Sequence, residues 1–372
     1  SDVCSSDLRP ARPNDAATAY ALSVDLLASP QLGHGRPGSV AVIGAGPAGL
    51  VSAARLHAAG VEVTVFEKSR GIGGRVATRR TSDGLAFDHG TQFVTARGES
   101  FSRFLEEAQG SGSAERWVPV VDPPRMLGSV ASAENGVPHT PSDWYVGKPG
   151  MSSLFRSLIS GVTVRHSITV THVDPTDRGI WLTASEPHRG SRRIGAFDAA
   201  IVAIPAPQAL AITGHLPSVA DTLARVVIAP CWALLLGIDG EPAVFADVYR
   251  RTNGPIAWVA RDSSKPGRPN GIATLVAHAS AQWSRDHLED SPEAVASRLL
   301  DELHSLLGEK LPAPGYGVAH RWRFAQTEAP LGSPFVEVAD GRVLIGGDWT
   351  TGARVEAAWD SGEAMARRLL RH

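Results

Sequence analysis

The chain has 372 residues, 43% of them apolar and 20% charged, with a formal net charge of -2. That length holds two lobes with sizeable cores, and the near-neutral balance excludes a global field that would draw the protein to nucleic acid or to an anionic membrane. No apolar run reaches the length of a membrane-spanning helix, and the two cysteines, Cys4 and Cys231, supply neither a disulfide framework nor a metal site, so a reducing, cytoplasmic location is the expectation.

Residues 1–37 are rich in Ser, Ala, Pro, Asp and Gly without a sustained period, and they read as a disordered or artefactual tail. The run SVAVIGAGPAGLVSAARLHAAGVEVTVFE, Ser39 to Glu67, then carries the strongest signal in the chain. Val40 to Ile43 is short and apolar enough for a buried strand. Gly44, Gly46 and Gly49 follow in G-x-G-x-x-G spacing, with Pro47 and Ala48 inside the motif. The first glycine permits the tight turn, the second lets backbone approach a pyrophosphate, and the third lets helix pack on strand. Leu50 to Ala59 reads as a helix stopped by Gly60, its unpaired first N–H groups facing the phosphates. Val61, Val63 and Val65 alternate as a second strand. Glu67 falls about 20 residues beyond the glycines, where a carboxylate accepts hydrogen bonds from a ribose. Strand, glycines, helix, strand and acid fall in register, which predicts a Rossmann-like dinucleotide site.

KSRGIGGR follows, ending at Gly74 and Arg75; the planar fork of an arginine suits a pyrophosphate. HGTQFVTARG, His89 to Gly98, is a polar loop directed back toward the first strand, with Arg97 a candidate anion partner. His89, beside Gly90, reads as a turn residue rather than a covalent attachment point. Phe101, Phe104, Leu105 and Ala108 mark a short amphipathic helix that opens a second lobe. SSLFRSLI predicts a helix, VTVRHSITVTHV and GIWLTAS an antiparallel pair turning at Asp174 to Gly179, and DAAIVAIPAPQAL a buried strand. Pro205 and Pro207 break that strand and predict the crossing between lobes. CWALLLGI, PIAWVARD and GIATLVAHAS read as strands of the second lobe, and SPEAVASRLLDELHSLLGE as a helix capped by Ser291. Cys231, in the first of these strands, reads as a small buried hydrophobe.

RVLIGGDW is a further buried strand, and TTGARVEAAWDSGEAMARRLL a closing helix with Val355, Ala358, Gly362, Met365 and Leu369 on one face. Asp348, at the strand end, is placed to bind a polyol such as ribityl, with the helix dipole directed at electron-rich ring atoms. The dinucleotide site is thus built from both ends of the chain, as two-lobed flavoproteins require and plain NAD dehydrogenases do not. The fold class expected is α/β: a Rossmann-like FAD-binding domain (38–97, 141–205 and 336–372) with an inserted mixed-sheet substrate domain (98–140 and 206–335).

From Ser39 onward the chain resembles the two-domain flavin oxidoreductases of the amine oxidase superfamily, and within them the bacterial renalases. The strings that carry the resemblance are WYVGKPGM, AIPAPQA, AWVARDSSKP, HASAQWSR, AHRW and GGDWTTGARVEAAWDSGEAMARRLL. It implies tightly but non-covalently bound FAD, and an oxidase that takes a hydride from the 2- or 6-dihydro isomers of NAD(P)H and passes the electrons to molecular oxygen as hydrogen peroxide. Carried over by position, Gly44 to Gly49 meet the pyrophosphate, Glu67 and Lys68 the adenosine ribose, and Gly74 and Arg75 the phosphates. Thr91 and Gln92 lie near the flavin, Ile168 offers backbone to the adenine, and Asp348 and Val355 close the site. Substrate contacts come from Phe93, Val94, Thr95, Ala96 and Arg97, from Ile204 and from Arg354. Three places depart from the renalase pattern: His89, the Phe93–Val94 pair and Ile204, all along the expected substrate face.

Flavin N5 accepts the hydride in such enzymes, so no strong base is needed from the protein. His278, Gln282, Trp283 and Trp322 are the candidates for the catalytic wall over the reacting ring. The plain alternatives are that Trp283 and Trp322 are core aromatics and His278 a satisfied core histidine. Two rival functions share the FAD motifs: an amine oxidase or desaturase, which wants an aromatic cage, an acidic recognition residue or a wide apolar tunnel, and a non-catalytic flavin-binding protein.

Overall fold

The computed structural model describes residues 35–122, 143–187, 189–240, 246–269, 271–308 and 310–371. Cys4 and most of the expected N-terminal tail lie outside the described residues. Six strands form the first sheet in the order Val336–Val338, Val343–Ile345, Ala199–Val202, Ser39–Ile43, Glu62–Phe66, Thr163–Arg165. All neighbours are parallel except Val336–Val338, which is antiparallel at the edge. The segments 38–97, 141–205 and 336–372 supply all six strands.

The four inner strands are largely buried on both faces, and the two-residue period of a strand sorts their side chains. Val40, Val42, Val63, Val65, Ile201 and Leu344 join one core cluster. Ala41, Ile43, Phe66, Ala200, Val202, Val343 and Ile345 join the other. Helix Pro47–Ala58 and the C-terminal helix Val355–Leu370 cover the first face. They approach closely because position 362 is glycine: a Cβ there would fall 2.2 Å from Val51 Cγ1 and 2.4 Å from the Ala48 carbonyl oxygen. The Ser52 hydroxyl meets the Gly362 carbonyl oxygen at 2.9 Å in the same gap. The antiparallel sheet Thr169–Thr176, Gly179–Glu186, Gly190–Phe197 packs on the opposite face.

The second sheet runs Tyr316–Ala329, Val227–Asp239, Ile272–Ala279, Ile256–Arg261, Val248–Arg250, Val121–Asp122. Trp232, Leu234 and Leu236 point to helix Pro292–Leu307, whose Val295, Leu299 and Leu303 are fully buried against them. Ser291 caps that helix by accepting from the Ala294 N–H at 3.2 Å. Ala233 and Leu235 point the other way, with Leu85, Phe87 and Val276. Among the described residues, no helix is long and apolar enough to cross a membrane.

Four local expectations change. Helix Glu99–Gly110 stacks Phe101 and Phe104 on Trp359 of the C-terminal helix, at ring distances of 5.5 and 4.5 Å, so it packs with the first lobe. Pro205 and Pro207 open helix Ala206–Thr213 against the first sheet instead of crossing between lobes, since proline suits a helix's first turn; the chain enters the second sheet only at Val227. Met151–Ile159 is a 3-10 segment. The expected strand pair gains a third member, Gly190–Phe197. Cys231 is half-buried at the edge of the core, with burial raising its thiol pKa to about 12.

Candidate active site

A cavity of about 1450 Å³ lies between the glycine turn of the first sheet and the inner face of the second. Gly44 adopts φ +100°, and a Cβ on it would fall 2.7 Å from the Ala203 carbonyl oxygen. A Cβ on Gly49 would fall 2.0 Å from the Gly44 carbonyl oxygen, so Gly49 lets the helix seat on the turn and does not itself line the cavity. Gly46 differs. A Cβ there meets no protein atom within 4 Å, and Gly46 lines the cavity with Pro47 and Ala48. Helix Pro47–Ala58 has no side-chain cap at its N-terminus, which leaves its first backbone N–H groups for an anion. An uncapped helix start, a glycine with free space and an acidic strand end together fit a dinucleotide.

Glu67 is 6% exposed. One carboxylate oxygen accepts the Ala45 N–H and the other the Ser69 N–H, both at 2.8 Å, so the acid also braces the glycine turn. Lys68 and Ile168 line the same end. The Ile168 N–H donates to the Glu67 carbonyl at 3.0 Å, which ties this end of the cavity to the acid. Across the cavity Asp348 accepts a two-pronged bond from Arg75, which also donates to the Ala325 carbonyl at 3.1 Å. Asp348 sits in the 3-10 turn Asp348–Thr350, one loop before the helix that starts at Val355.

The loop between Asp88 and Arg97 forms the middle wall, and Thr91, Gln92, Phe93, Val94, Thr95 and Arg97 all line the cavity, whereas Ala96 does not. A fully buried ionic cluster that the sequence reading missed holds this loop. Asp88 pairs with Arg268 and Lys265, and Lys265 also reaches Asp262 at 2.5 Å. Burial pushes the Asp88 carboxyl up, but Lys265 and Arg268 outweigh it and bring its pKa down to about 2. Lys265 Nζ donates to Gln92 Oε1 at 3.2 Å, and Gln92 Nε2 donates to the Gly90 carbonyl at 3.1 Å. The Gln92 amide is therefore spent on shaping the loop.

Glu356, another residue the sequence reading passed over, is 2% exposed and accepts the backbone N–H groups of Arg97 and Gly98 at 2.7 and 2.6 Å. It also pairs with Arg354 at 3.3 Å. Arg97 and Arg354 thus come to one rim from positions far apart in sequence, with Ile204 and Val355 on the same lining.

The second sheet contributes a row of side chains that crosses its strands, with further residues of Tyr316–Ala329 beside it. Register pairs Arg250 with Trp258, Trp258 with His278, His278 with Ala233 and Ala233 with His320. Directly paired residues point to the same face, and all of these except Ala233 line the cavity. At the histidine end, His89 contacts the rings of His320 and Trp322 at 4.7 and 4.9 Å. The His89 carbonyl accepts Trp322 Nε1–H at 3.0 Å and lies 3.1 Å from His278 Nε2, which fixes the proton of neutral His278 on that nitrogen. Burial lowers all three histidines: His89 to about 3, helped by neighbouring His320, and His278 and His320 to about 4. They are neutral at pH 7. At the other end Phe93 stacks on Trp144 at 3.9 Å, and Trp258 lies 5.7 Å from Phe93.

His278 and Trp322 therefore stand on the cavity wall. Gln282 and Trp283 do not. Helix Ala281–Asp286 turns away after its strand, so Gln282 bonds Asp286 at 2.8 Å on the exposed surface, and Trp283 packs beside His287 against the outer core of the second lobe. The wall residues missed in the sequence include Trp144, Arg250, Trp258, His320, Arg321 and Arg323. The i, i+2 spacing of His320 and Trp322 on one strand was the available signal for His320.

The family model of an NAD(P)-binding Rossmann-like domain matches residues 42–108, and that of the flavin-containing amine oxidoreductases matches residues 127–370. The chain is 40% identical over 80 residues to 4,4'-diapophytoene desaturase (4,4'-diaponeurosporene-forming) of Staphylococcus aureus strain Newman, a match that covers 19% of this chain and 16% of the desaturase. Among solved structures, it superposes on cyclohexylamine oxidase from Brevibacterium oxydans IH-35A with a TM-score of 0.66 and 16% identity, over 90% of this chain and 99% of that one. A protein from Exiguobacterium sp. 255-15, provisionally named a protoporphyrinogen oxidase, superposes with a TM-score of 0.69 and 12% identity over the same shares. At such identities the superpositions establish the fold alone. The second family model spans more than half of the chain and takes in the closing helix that completes the cavity, and the protein belongs to the flavin-containing amine oxidoreductase family.

Proposed function

We propose that the protein holds FAD non-covalently and oxidises the 2- or 6-dihydro isomers of NAD(P)H. One isomer, one proton and one molecule of oxygen give NAD(P)+ and hydrogen peroxide. The observation that carries this reading is the charge of the cavity. Among the described residues, Lys68, Arg75, Arg97, Arg250, Arg321, Arg323 and Arg354 line it, against only two carboxylates, Glu67 and Asp348. Glu67 is engaged by backbone N–H groups and Asp348 by Arg75. The three histidines are neutral. Arg321 and Arg323 share Glu289, and Arg354 pairs with Glu356, so the net excess is smaller than the number of cations; the diphosphate of FAD offsets part of it, and the remainder suits a second polyanion.

Bound FAD supplies the hydride acceptor and the route of both electrons to oxygen. The protein's part is to hold the substrate ring in place and keep water from it. Trp322, with its N–H committed to His89, and His278, with its proton fixed, form a rigid uncharged wall for a planar ring. Arg97 and Arg354 on the rim take phosphates.

An amine oxidase of the same family is the second reading, because Phe93, Trp144 and Trp258 offer aromatic faces of the kind that bind cations. The Arg250 guanidinium already stands 5.6 Å over the Trp258 ring, which opposes an ammonium there. Anaerobic mixing of the flavin-loaded protein with 6-dihydro-NAD, ordinary NADH and a panel of amines tests the choice. Rapid bleaching by the 6-dihydro isomer is expected; bleaching by an amine and not by the isomer overturns the proposal.

A further inference from the structure

The cross-strand row described above has unlike ends. His320 and His278, with Trp322 beside them, are neutral and close to the Arg75–Gly90 segment: a Cβ on Gly90 would lie 2.1 Å from the Arg75 carbonyl oxygen and 3.4 Å from Trp322. Four interstrand steps away, roughly 19 Å at the usual sheet spacing, the row ends at Arg250 on the short strand Val248–Arg250. The Arg250 guanidinium forms no ion pair with any described residue, and its one ring contact is with Trp258. Trp258 Nε1 is buried and has no hydrogen-bond partner, although the residue lines the cavity. A buried indole N–H without a partner is costly in a folded protein. Phe93, stacked on Trp144, adds a flat apolar face beside it.

We infer that Arg250, Trp258 and Phe93 form a separate subsite for the adenylate half of the substrate, in which Arg250 takes a phosphate oxygen, the Trp258 N–H donates to the same half, and the aromatic faces carry the adenine. This rests on the dihydronicotinamide reading above and adds to it that the enzyme selects a dinucleotide over a mononucleotide. The length of the row matches that division: Arg250 lies two interstrand steps from His278 but four from His320, so a ring seated at the His320–Trp322 end leaves Arg250 to an anion beyond the reach of a mononucleotide. An arginine already poised over an indole is also an economical adenine partner, since its plane can stack while its edge donates.

The test compares 6-dihydro-NAD, 6-dihydro-NADP and 6-dihydronicotinamide mononucleotide with the flavin-loaded wild type, Arg250→Gln, Arg250→Lys and Trp258→Phe. For wild type, kcat/KM for the dinucleotides exceeds that for the mononucleotide at least tenfold. In Arg250→Gln that ratio falls about tenfold through KM, and Arg250→Lys restores part of it. Loss confined to 6-dihydro-NADP assigns the 2'-phosphate to Arg250, whereas equal loss for both dinucleotides assigns the diphosphate. Trp258→Phe, which keeps an aromatic face and removes the N–H, lowers the ratio less. An unchanged ratio in Arg250→Gln, or a wild type indifferent to the adenylate half, overturns the subsite while leaving the proposed oxidation intact. Failure of every dihydronicotinamide to reduce the flavin overturns both.

Discussion

Arg75 Nη1 lies 2.9 Å from Asp348 Oδ2, joining the loop after the second strand to the end of the last strand across 273 residues of sequence. The second guanidinium nitrogen meets the other carboxylate oxygen, so the pair is a planar fork on a planar carboxylate. Both line the cavity, and Thr327 also reaches Asp348, at 3.3 Å. The pair closes the cofactor end of the cavity from both termini of the fold. Asp348→Asn removes the charge and keeps the shape, leaving Arg75 with neutral acceptors only, the new amide oxygen and the Ala325 carbonyl. The expected result is flavin affinity lower by about tenfold, or about 1.4 kcal/mol, read from the flavin retained after dialysis. Wild-type retention in this variant would show that the pair holds the loops alone.

Two glycines of one motif separate fold from binding. Gly49→Ala places a Cβ 2.0 Å from the Gly44 carbonyl oxygen, backbone against backbone. That variant should lose stability in the flavin-free as well as the flavin-bound form. Gly46→Ala places its Cβ in open space at the cavity. Its flavin-free melting temperature should equal wild type, while flavin affinity falls because the methyl stands where a pyrophosphate approaches. Thermal melts of each variant with and without flavin distinguish the two behaviours.

What was readable in the sequence follows the range of the interactions. The glycine turn, Glu67 and the closing helix depend on local spacing, and the structure forms each of them. Gln282 and Trp283 sit only a few residues beyond His278, so sequence proximity placed all three together. The chain leaves the sheet at Ser280, which caps a short helix through the Trp283 N–H, and that turn carries both side chains off the wall. Arg250 and Trp258 were illegible for the opposite reason: only sheet register sets them in line with His278. Gln282→Ala should accordingly leave the rate of flavin reduction within about twofold of wild type, as for other exposed side chains. A larger loss in stopped-flow traces would return Gln282 to the site.

The ionic cluster under the Gln92 loop offers a test of stability. Lys265 is 2% exposed and stands between Asp88 and Asp262, both fully buried. Lys265→Met keeps much of the stem and removes the charge, leaving two carboxylates with Arg268 alone. Breaking a buried pair from one side costs about 3–5 kcal/mol. The midpoint of urea unfolding should fall accordingly, and flavin binding should weaken with it, because Gln92 loses the Lys265 donor. An unchanged midpoint would mean that water already serves the cluster.

The histidines set the pH dependence of stability. His89 is depressed to about 3, and His278 and His320 to about 4, each chiefly by burial, against about 6.5 in an unfolded chain. Between those values the unfolded chain binds protons that the folded protein refuses. Their effect on stability is therefore nil above about pH 6.5 and grows more unfavourable as pH falls from there toward 4. Wild type should melt at a clearly lower temperature at pH 5 than at pH 7.5. His89 gives the sharpest variant, because its Nδ1 is buried without a partner and so contributes no hydrogen bond to lose. His89→Phe should nearly match wild type at pH 7.5 and exceed it at pH 5, since one refused proton is gone while the ring contacts with His320 and Trp322 remain. Melting curves of the two proteins that stay parallel between pH 7.5 and pH 5 would show that His89 does not titrate on unfolding and that the acid sensitivity lies elsewhere.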